Sequence, residues 1–388
     1  MQLTLLIVQR HLPHYRVAFF EALRKALEQY GVTLRVAHGT SNAVEKTKND
    51  GGFLSWAEPI PTSYFWGEKL CWLPYGSLMR SVDMVVATSE NKLIYNLLPQ
   101  FLNTSVRFAF WGHGRNLQGQ RRSWKEGFKR WSAERADWWF AYTDRSREMV
   151  LESGFPSDHV TVLNNSIDTR SVMEMRRAVT PELKAQLLRE IGLKGTNVGV
   201  YVGSLYAEKR VKFMLDAAIE IRMQVPEFEF LMIGAGPHTP WVSAFCQQHS
   251  WAHALGVKRG ADMVALVSLA RVMVNPGAVG LTIVDSFACQ VPLFTTDCGL
   301  HGPEIDYLIN FENGVVTDNT VSAYAAAVVR GLNDQALRTR LHAGCVEAAE
   351  RYTMQAMVEQ FVSGVMLCLQ KPVRRRRLNS LMRPQLAR

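Results

Sequence analysis

The stretch Arg271-Val-Met-Val-Asn-Pro-Gly-Ala-Val-Gly-Leu-Thr-Ile-Val-Asp-Ser-Phe-Ala288 decides how the rest of the chain is read. Residues 272–275 predict a short buried strand and Pro276-Gly277 a tight turn. Ile283, Val284, Phe287 and Ala288 recur at helical spacing, so a helix is expected to begin near Leu281. A turn of small residues between strand and helix leaves the first helical N–H groups without partners and aimed outward, a setting that suits a phosphate or a sugar hydroxyl. The backbone at Ala278, Val279, Gly280 and Leu281 is therefore a candidate anion site. Asp285, one helical turn further in, lies near the same mouth and can accept hydrogen bonds from vicinal hydroxyls. The plainer reading is an ordinary strand-helix unit with a surface aspartate.

Outward from this unit the same alternation continues. Residues 3–8, 32–37, 84–88, 106–110, 138–142 and 160–163 read as strands of a first half, and 198–203, 228–234, 272–275 and 292–296 as strands of a second. Helical patterns lie between them, at 16–29 in the first half and at 213–223, 241–249, 263–269 and 282–289 in the second. The last helices run over 321–368. Strands alternating with helices predict an α/β fold of parallel sheets covered by helices. Residues 45–76, rich in Trp and Pro, give no assignable pattern. The character changes after Asp168, where a polar helical stretch (171–190) leads to Gly192 and Gly195. The expected domains are 1–170 and 171–370, the last helix packing back on the first, followed by a basic tail at 371–388.

The composition excludes several classes. With 388 residues, 47% hydrophobic and 20% charged, the chain has room for two or three domains with their cores and is neither fibrous nor disordered. The apolar start lacks a basic n-region and a cleavage site, and Arg10 ends it too early to span a bilayer, so it is expected as the first core strand. Cysteines 71, 246, 289, 298, 345 and 368 form no Cys-X-X-Cys pair, which predicts reduced thiols in a cytoplasmic protein and no structural zinc. Net charge is +9, and seven of the nine excess charges follow Gln370.

Ligands of open α/β sheets bind outside the carboxyl ends of the strands. There the second half carries 204–209, 235–238, 276–280 and 297–304, and the first half carries 9–16, 111–114 and 164–168. Glycines, histidines, Lys209 and carboxylates thus collect on one edge of each sheet, and two such edges facing each other would enclose a cleft. Known signatures fit poorly. Gly234-Ala-Gly236 follows a strand, but the third glycine of a dinucleotide turn would fall at Thr239 and no acidic residue follows at the expected distance. There is no phosphate-loop motif, no nucleophile elbow and no His-Glu-X-X-His. No Asp-X-Asp pair is available to bridge a metal to a diphosphate. Charge neutralisation then falls to Lys209 and the helix entry at 278–281, which points to a nucleotide diphosphate bound without metal.

These segments resemble the retaining family 4 glycosyltransferases of the GT-B fold (glycosyl transferases group 1), two Rossmann-like domains facing a central cleft. The similar segments are Val202-Gly-Ser-Leu-Tyr-Ala-Glu-Lys209, Leu231-Met-Ile-Gly-Ala-Gly-Pro237, Asn275 through Ala288, His301-Gly-Pro-Glu-Ile305, Glu312-Asn-Gly-Val-Val316 and Val162-Leu-Asn-Asn-Ser-Ile-Asp168. The likeness covers most of 105–360 in order. It implies that Lys209 contacts the donor diphosphate, that the 278–281 amides support phosphate and sugar, and that Asp285 stands where a family glutamate binds ribose hydroxyls. It places His113 where a first-domain histidine approaches the donor sugar, and Arg16 on the phosphate or acceptor side. Glu304 resembles a position near the cleft, although it can equally cap the following helix, and the candidate His301 reads more readily as structural or exposed than as catalytic. The leaving diphosphate would assist acceptor deprotonation on the same face, with no protein nucleophile and no metal or other cofactor.

Three departures bear on activity. The family's first glutamate is Gly277, its second is Asp285, and its phosphate-binding arginine is Ser204. A divergent transferase is the preferred reading. A sugar-nucleotide-binding scaffold without activity is the rival, and an epimerase of the same fold fits the turn-helix less well. Residues 115–135 hold seven basic side chains against Glu126 and Glu134, and Trp124, Phe128, Trp131 and Arg135 share one helical face. Such a helix suits an anionic membrane surface or packs its rings into the first domain. With the 371–388 tail it suggests peripheral membrane contact, a glycan or lipid-linked acceptor and a part in bacterial surface polysaccharide or lipopolysaccharide assembly. Nucleic acid is disfavoured, since the tail has no aromatics for base stacking.

Overall fold

The computed structural model describes residues 2–42, 51–90, 92–101, 105–113 and 135–373. Among them the chain divides into two units: one runs from the start to Asn164 and is rejoined at Met357, and the other is Asn165–Ala356.

The first unit contains β1 (Leu3–Gln9), α1 (Val17–Glu28), β2 (Val32–His38), β3 (Glu58–Pro59), β4 (Ser63–Phe65), β5 (Leu70–Trp72), β6 (Met84–Thr88), α2 (Leu97–Phe101), β7 (Arg107–Gly112), β8 (Trp138–Ala141), α3 (Asp144–Glu152) and β9 (Val160–Val162). Its parallel sheet has the order β3-β2-β1-β6-β7-β8-β9, while β4 and β5 form a separate antiparallel hairpin. Leu5, Leu6, Ile7 and Val8 are all buried because helices cover both faces of a parallel sheet. Part of that cover comes from the far end of the chain, where Phe361 stacks on Phe140 with ring centroids 4.3 Å apart.

The second unit runs α4 (Thr169–Arg177), α5 (Pro181–Ile191), β10 (Asn197–Val202), α6 (Val211–Gln224), β11 (Phe228–Ile233), α7 (Thr239–Gln248), β12 (Ala252–Gly256), α8 (Gly260–Val267), β13 (Val272–Val274), α9 (Thr282–Cys289), β14 (Leu293–Thr296), β15 (Gly314–Thr317), α10 (Val321–Asn333) and α11 (Gln335–Arg351). The last helix, α12 (Met354–Gln370), leads back to the first unit. The sheet order is β12-β11-β10-β13-β14-β15, all parallel. Along β11, Phe228, Phe230 and Met232 enter one core cluster, and Leu231 and Ile233 enter the other. That is the two-residue period of a strand buried on both faces.

The α/β class and most elements appear as expected, with four corrections. Residues 45–76 include the β4–β5 hairpin and β3, which their Trp and Pro content obscured. The expected helix over 171–190 is two helices: Thr180 accepts from the Leu183 N–H and Pro181 opens α5, so the chain breaks there. β12 and β15 were missed, being short strands with few apolar residues or a glycine at one end. The last helices, expected over 321–368, are α10, α11 and α12, with Asp334 capping α11. Arg135 does not belong to an exposed basic face; it is buried and donates to the Gln100 carbonyl at 3.3 Å. The rest of the basic stretch, 115–134, and the tail from 374 lie outside the described residues. Lys371 pairs with Asp158. All six cysteines are unbridged, and no described helix is long and apolar enough to cross a membrane.

Candidate functional site

Each sheet reverses its strand order beside its first strand, with β1 between β2 and β6 and β10 between β11 and β13. A crevice at such a switch point, outside the carboxyl ends, is where open α/β sheets take ligands. In the second unit the two segments leaving it, 203–210 and 275–281, pack backbone on backbone. The Ala278 N–H donates to the Glu208 carbonyl at 2.8 Å. Lys209, 8% exposed, donates from Nζ to the Ala278 carbonyl at 2.5 Å. Arg210 holds a left-handed conformation (φ 55°). Its guanidinium donates to Thr296 Oγ1 at 2.9 Å and the Pro276 carbonyl at 3.3 Å, and lies over the Phe213 ring.

Gly277 makes this approach possible. A Cβ there would stand 2.4 Å from the Lys209 carbonyl carbon and 2.6 Å from the Glu208 oxygen, so no side chain fits without moving that backbone. The position that resembles a family glutamate is thus occupied by a backbone contact that fixes Lys209 instead. Gly234 serves a similar purpose: at φ 146° its Cβ would meet the Gly203 carbonyl oxygen at 1.8 Å.

Of the four amides singled out, two are already committed. Ala278 donates to Glu208, and Val279 donates to His301 Nδ1 at 3.3 Å. Gly280 and Leu281, together with Thr282, have no backbone hydrogen-bond partner among the described residues, and α9 opens without a side-chain cap. The exposed donors therefore begin two residues later than expected. Because His301 Nδ1 accepts, the ring proton lies on Nε2, which donates to the Thr296 carbonyl at 2.7 Å. His301 thus braces the turn with both nitrogens. Glu304, 4% exposed, accepts from Asn165 Nδ2 at 2.5 Å. It supports the turn from below, where a Cβ on Gly280 would come 3.4 Å from Glu304 Oε2.

Asp285 is half-buried and its carboxyl has no hydrogen-bond partner among the described residues. Desolvation raises its pKa from 3.8 to about 7. Between those values the folded form keeps a proton that the unfolded chain has released, so stability falls as pH rises through the window. Asp285→Asn should raise the melting temperature at pH 8 by roughly 3–6 °C and leave it nearly unchanged at pH 4. Equal shifts at both pH values, in a thermal melt series, would place the effect elsewhere.

The first unit's switch point lies between β1 and β6. Arg10, 6% exposed, donates from Nε to Glu90 Oε2 at 2.7 Å and to the Tyr64 hydroxyl at 3.4 Å, and Lys92 stands 3.5 Å from the same carboxylate. His113, just past β7, sits edge-on to Tyr142 at 4.6 Å. The residue is exposed, yet desolvation draws its pKa down to about 4, against an opposing pull from Glu90. The imidazole is therefore neutral at pH 7. The unfolded chain binds a proton at this site from pH 6.5 downward and the folded chain does not, so acid costs stability between 6.5 and 4. His113→Gln should flatten the melting temperature against pH across that window; an unchanged slope would show that the ring is as solvated as in the open chain. Arg16, by contrast, lies in the core. Its guanidinium is 4.7 Å from the Trp111 ring centroid and donates to Met357 Sδ at 3.7 Å.

Arg10, Glu90, Asn165 and Arg210 were not singled out from the sequence, although each follows a strand end, and that position was the available signal. Among the described residues no three His, Cys, Asp or Glu side chains gather as a metal-binding group.

Residues 196–334 match the family model described as glycosyl transferases group 1. The alpha-D-kanosaminyltransferase of Streptomyces kanamyceticus is 24% identical over 235 residues, which is 56% of this chain and 57% of that protein. The chain thus spans little more than half of this relative's length. Among solved structures, HepE of Anabaena in complex with UDP has 14% identity over 94% of this chain and 99% of its own, with a TM-score of 0.68. Its complex with UDP-glucose scores 0.66. A glycosyltransferase from Rickettsia africae is 13% identical over 95% of this chain and 99% of its own, with a TM-score of 0.70. Two parallel-sheet Rossmann-like domains shared with these proteins define the fold as GT-B.

Proposed function

We propose that this chain is a glycosyltransferase that moves a sugar from a nucleoside diphosphate sugar, UDP-linked in the first instance, to a glycan or lipid-linked acceptor with retention of configuration. The observation that carries this reading is the group of unpartnered N–H donors at Gly280, Leu281 and Thr282, gathered with Lys209 and Asp285 at one switch point. Donors of that kind stabilise a diphosphate as its charge grows on departure, and need no metal to do so. Asp285 would take sugar or ribose hydroxyls. The neutral His113 would hydrogen-bond the transferred sugar without adding charge, and the Arg10–Glu90 pair would face the acceptor. The leaving phosphate would receive the acceptor proton. UDP as donor base is supported by the UDP complexes of HepE. The enzyme would work in the cytoplasm, peripherally at the membrane, in surface polysaccharide assembly.

The test is thermal stabilisation by UDP, GDP, TDP, CDP and ADP. A ligand at 100 times its dissociation constant adds about 2.7 kcal/mol. One diphosphate should stand out; five flat responses would sink the donor site. The scaffold reading, favoured by Gly277 in place of a carboxylate, predicts binding without release of UDP from UDP-glucose or other UDP-sugars in the presence of acceptor.

A further inference from the structure

The β4–β5 hairpin presents an apolar face that the donor site does not use. Its register pairs Ser63 with Trp72, Tyr64 with Cys71 and Phe65 with Leu70, and residues opposite each other in an antiparallel pair share a face. Tyr64 and Cys71 turn inward: Cys71 is fully buried, its N–H donates to the Lys92 carbonyl at 2.7 Å, and the Tyr64 hydroxyl donates to the Thr40 carbonyl at 2.7 Å. Phe65, Leu70 and Trp72 lie on the opposite face, where the Trp72 ring packs edge-on against Tyr95 at 4.8 Å. Phe65 is 48% exposed, Trp72 37% and Trp66, at the tip, 80%.

The tip is also strained. Trp66, Gly67 and Glu68 have φ of 52°, 61° and 66°; glycine adopts that region at no cost, but tryptophan and glutamate do not. A two-stranded hairpin alone is marginal in water, and this one is held in shape by the inward bonds to Thr40 and Lys92.

We propose that this hairpin is the membrane-contact element of the protein, seating Phe65 and Trp66 in the interfacial layer of a lipid bilayer. The inference rests on the peripheral-membrane part of the function proposed above and gives it a location. Three observations select a bilayer over a glycan. Trp66 at the turn is 80% exposed and Phe65 48%, more open to solvent than rings lining a concave sugar site. Indole and phenyl rings partition to the headgroup level. The exposed Lys69 beside them complements lipid phosphates. The hairpin leads to the sheet edge of Arg10 and Glu90 through Tyr64, which is where a lipid-carried acceptor would have to arrive.

The experiment is co-sedimentation of the full chain with phosphatidylcholine vesicles, with and without phosphatidylglycerol, comparing wild type with Phe65→Ser/Trp66→Asn. Asparagine tolerates the left-handed tip. Wild type should bind neutral vesicles and stay bound at about 0.5 M salt, where charge is screened, and the double variant should bind about tenfold less while keeping its thermal response to UDP. Binding that needs phosphatidylglycerol and low salt and is equal in the variant would overturn the proposal in favour of the basic tail. No wild-type binding, with transfer lost in the variant, would overturn it in favour of a glycan platform. A wild type that ignores every nucleotide would refute the transferase reading whatever the vesicles show.

Discussion

Lys209→Ala should weaken binding of the selected nucleoside diphosphate by about ten- to a hundredfold, the loss expected when a charge-assisted hydrogen bond of roughly 1.5–3 kcal/mol disappears. Burial makes the lysine effective. At 8% exposure its charge is poorly screened, and the bond to the Ala278 carbonyl uses one of its three donors while fixing where the ammonium sits. The same bond is a hazard for interpretation, because its loss can loosen the turn. Lys209→Met, which keeps the aliphatic stem, separates the two effects: it should lose affinity as alanine does but melt closer to wild type. Calorimetric titration checks both, and wild-type affinity in either variant would make Lys209 a clamp for the turn and nothing more.

Gly277→Glu should be worse, although it introduces the glutamate that the family resemblance implies at this position. Its Cβ would lie 2.4 Å from the Lys209 carbonyl carbon, and relieving that overlap means displacing 207–209 at a cost of about 1–3 kcal/mol or more. The displaced segment carries Lys209, so the melting temperature and the nucleotide response should fall together. Gly277→Ala should show the same pair of losses in milder form. A rise in donor affinity or turnover in Gly277→Glu would mean that the backbone gives way easily and that the missing carboxylate alone limits the protein.

How much of this could be read from the chain depended on distance along it. The helix at 282–289 was legible to the residue because strand, turn and helix are contiguous and their apolar spacing is local. Lys209 and Asp285 were legible as polar side chains beyond the carboxyl ends of strands. Two other features were not. That Ala278 and Val279 are committed depends on Glu208 and His301, each tens of residues away, and periodicity does not report such pairings. Burial of Arg16 depends on Trp111, far along the chain on β7, and on Met357, which joins only when the last helix returns. The hairpin was hidden for a different reason: its outward face is apolar, so the polar alternation that marks a half-exposed strand is missing.

That return of α12 also sets an order of events during synthesis. Domains usually form as they leave the ribosome, the N-terminal one first. Here Phe361 stacks on Phe140 and also packs against Phe19 and Trp111, so the rings of the first unit stay partly uncovered until nearly the whole chain has been made. The second unit, whose sheet and flanking helices lie within Asn165–Ala356, can close before the first is complete. A nascent chain would then expose aromatic surface for most of its translation, and one cut short before Met357 should be a preferred client for chaperones.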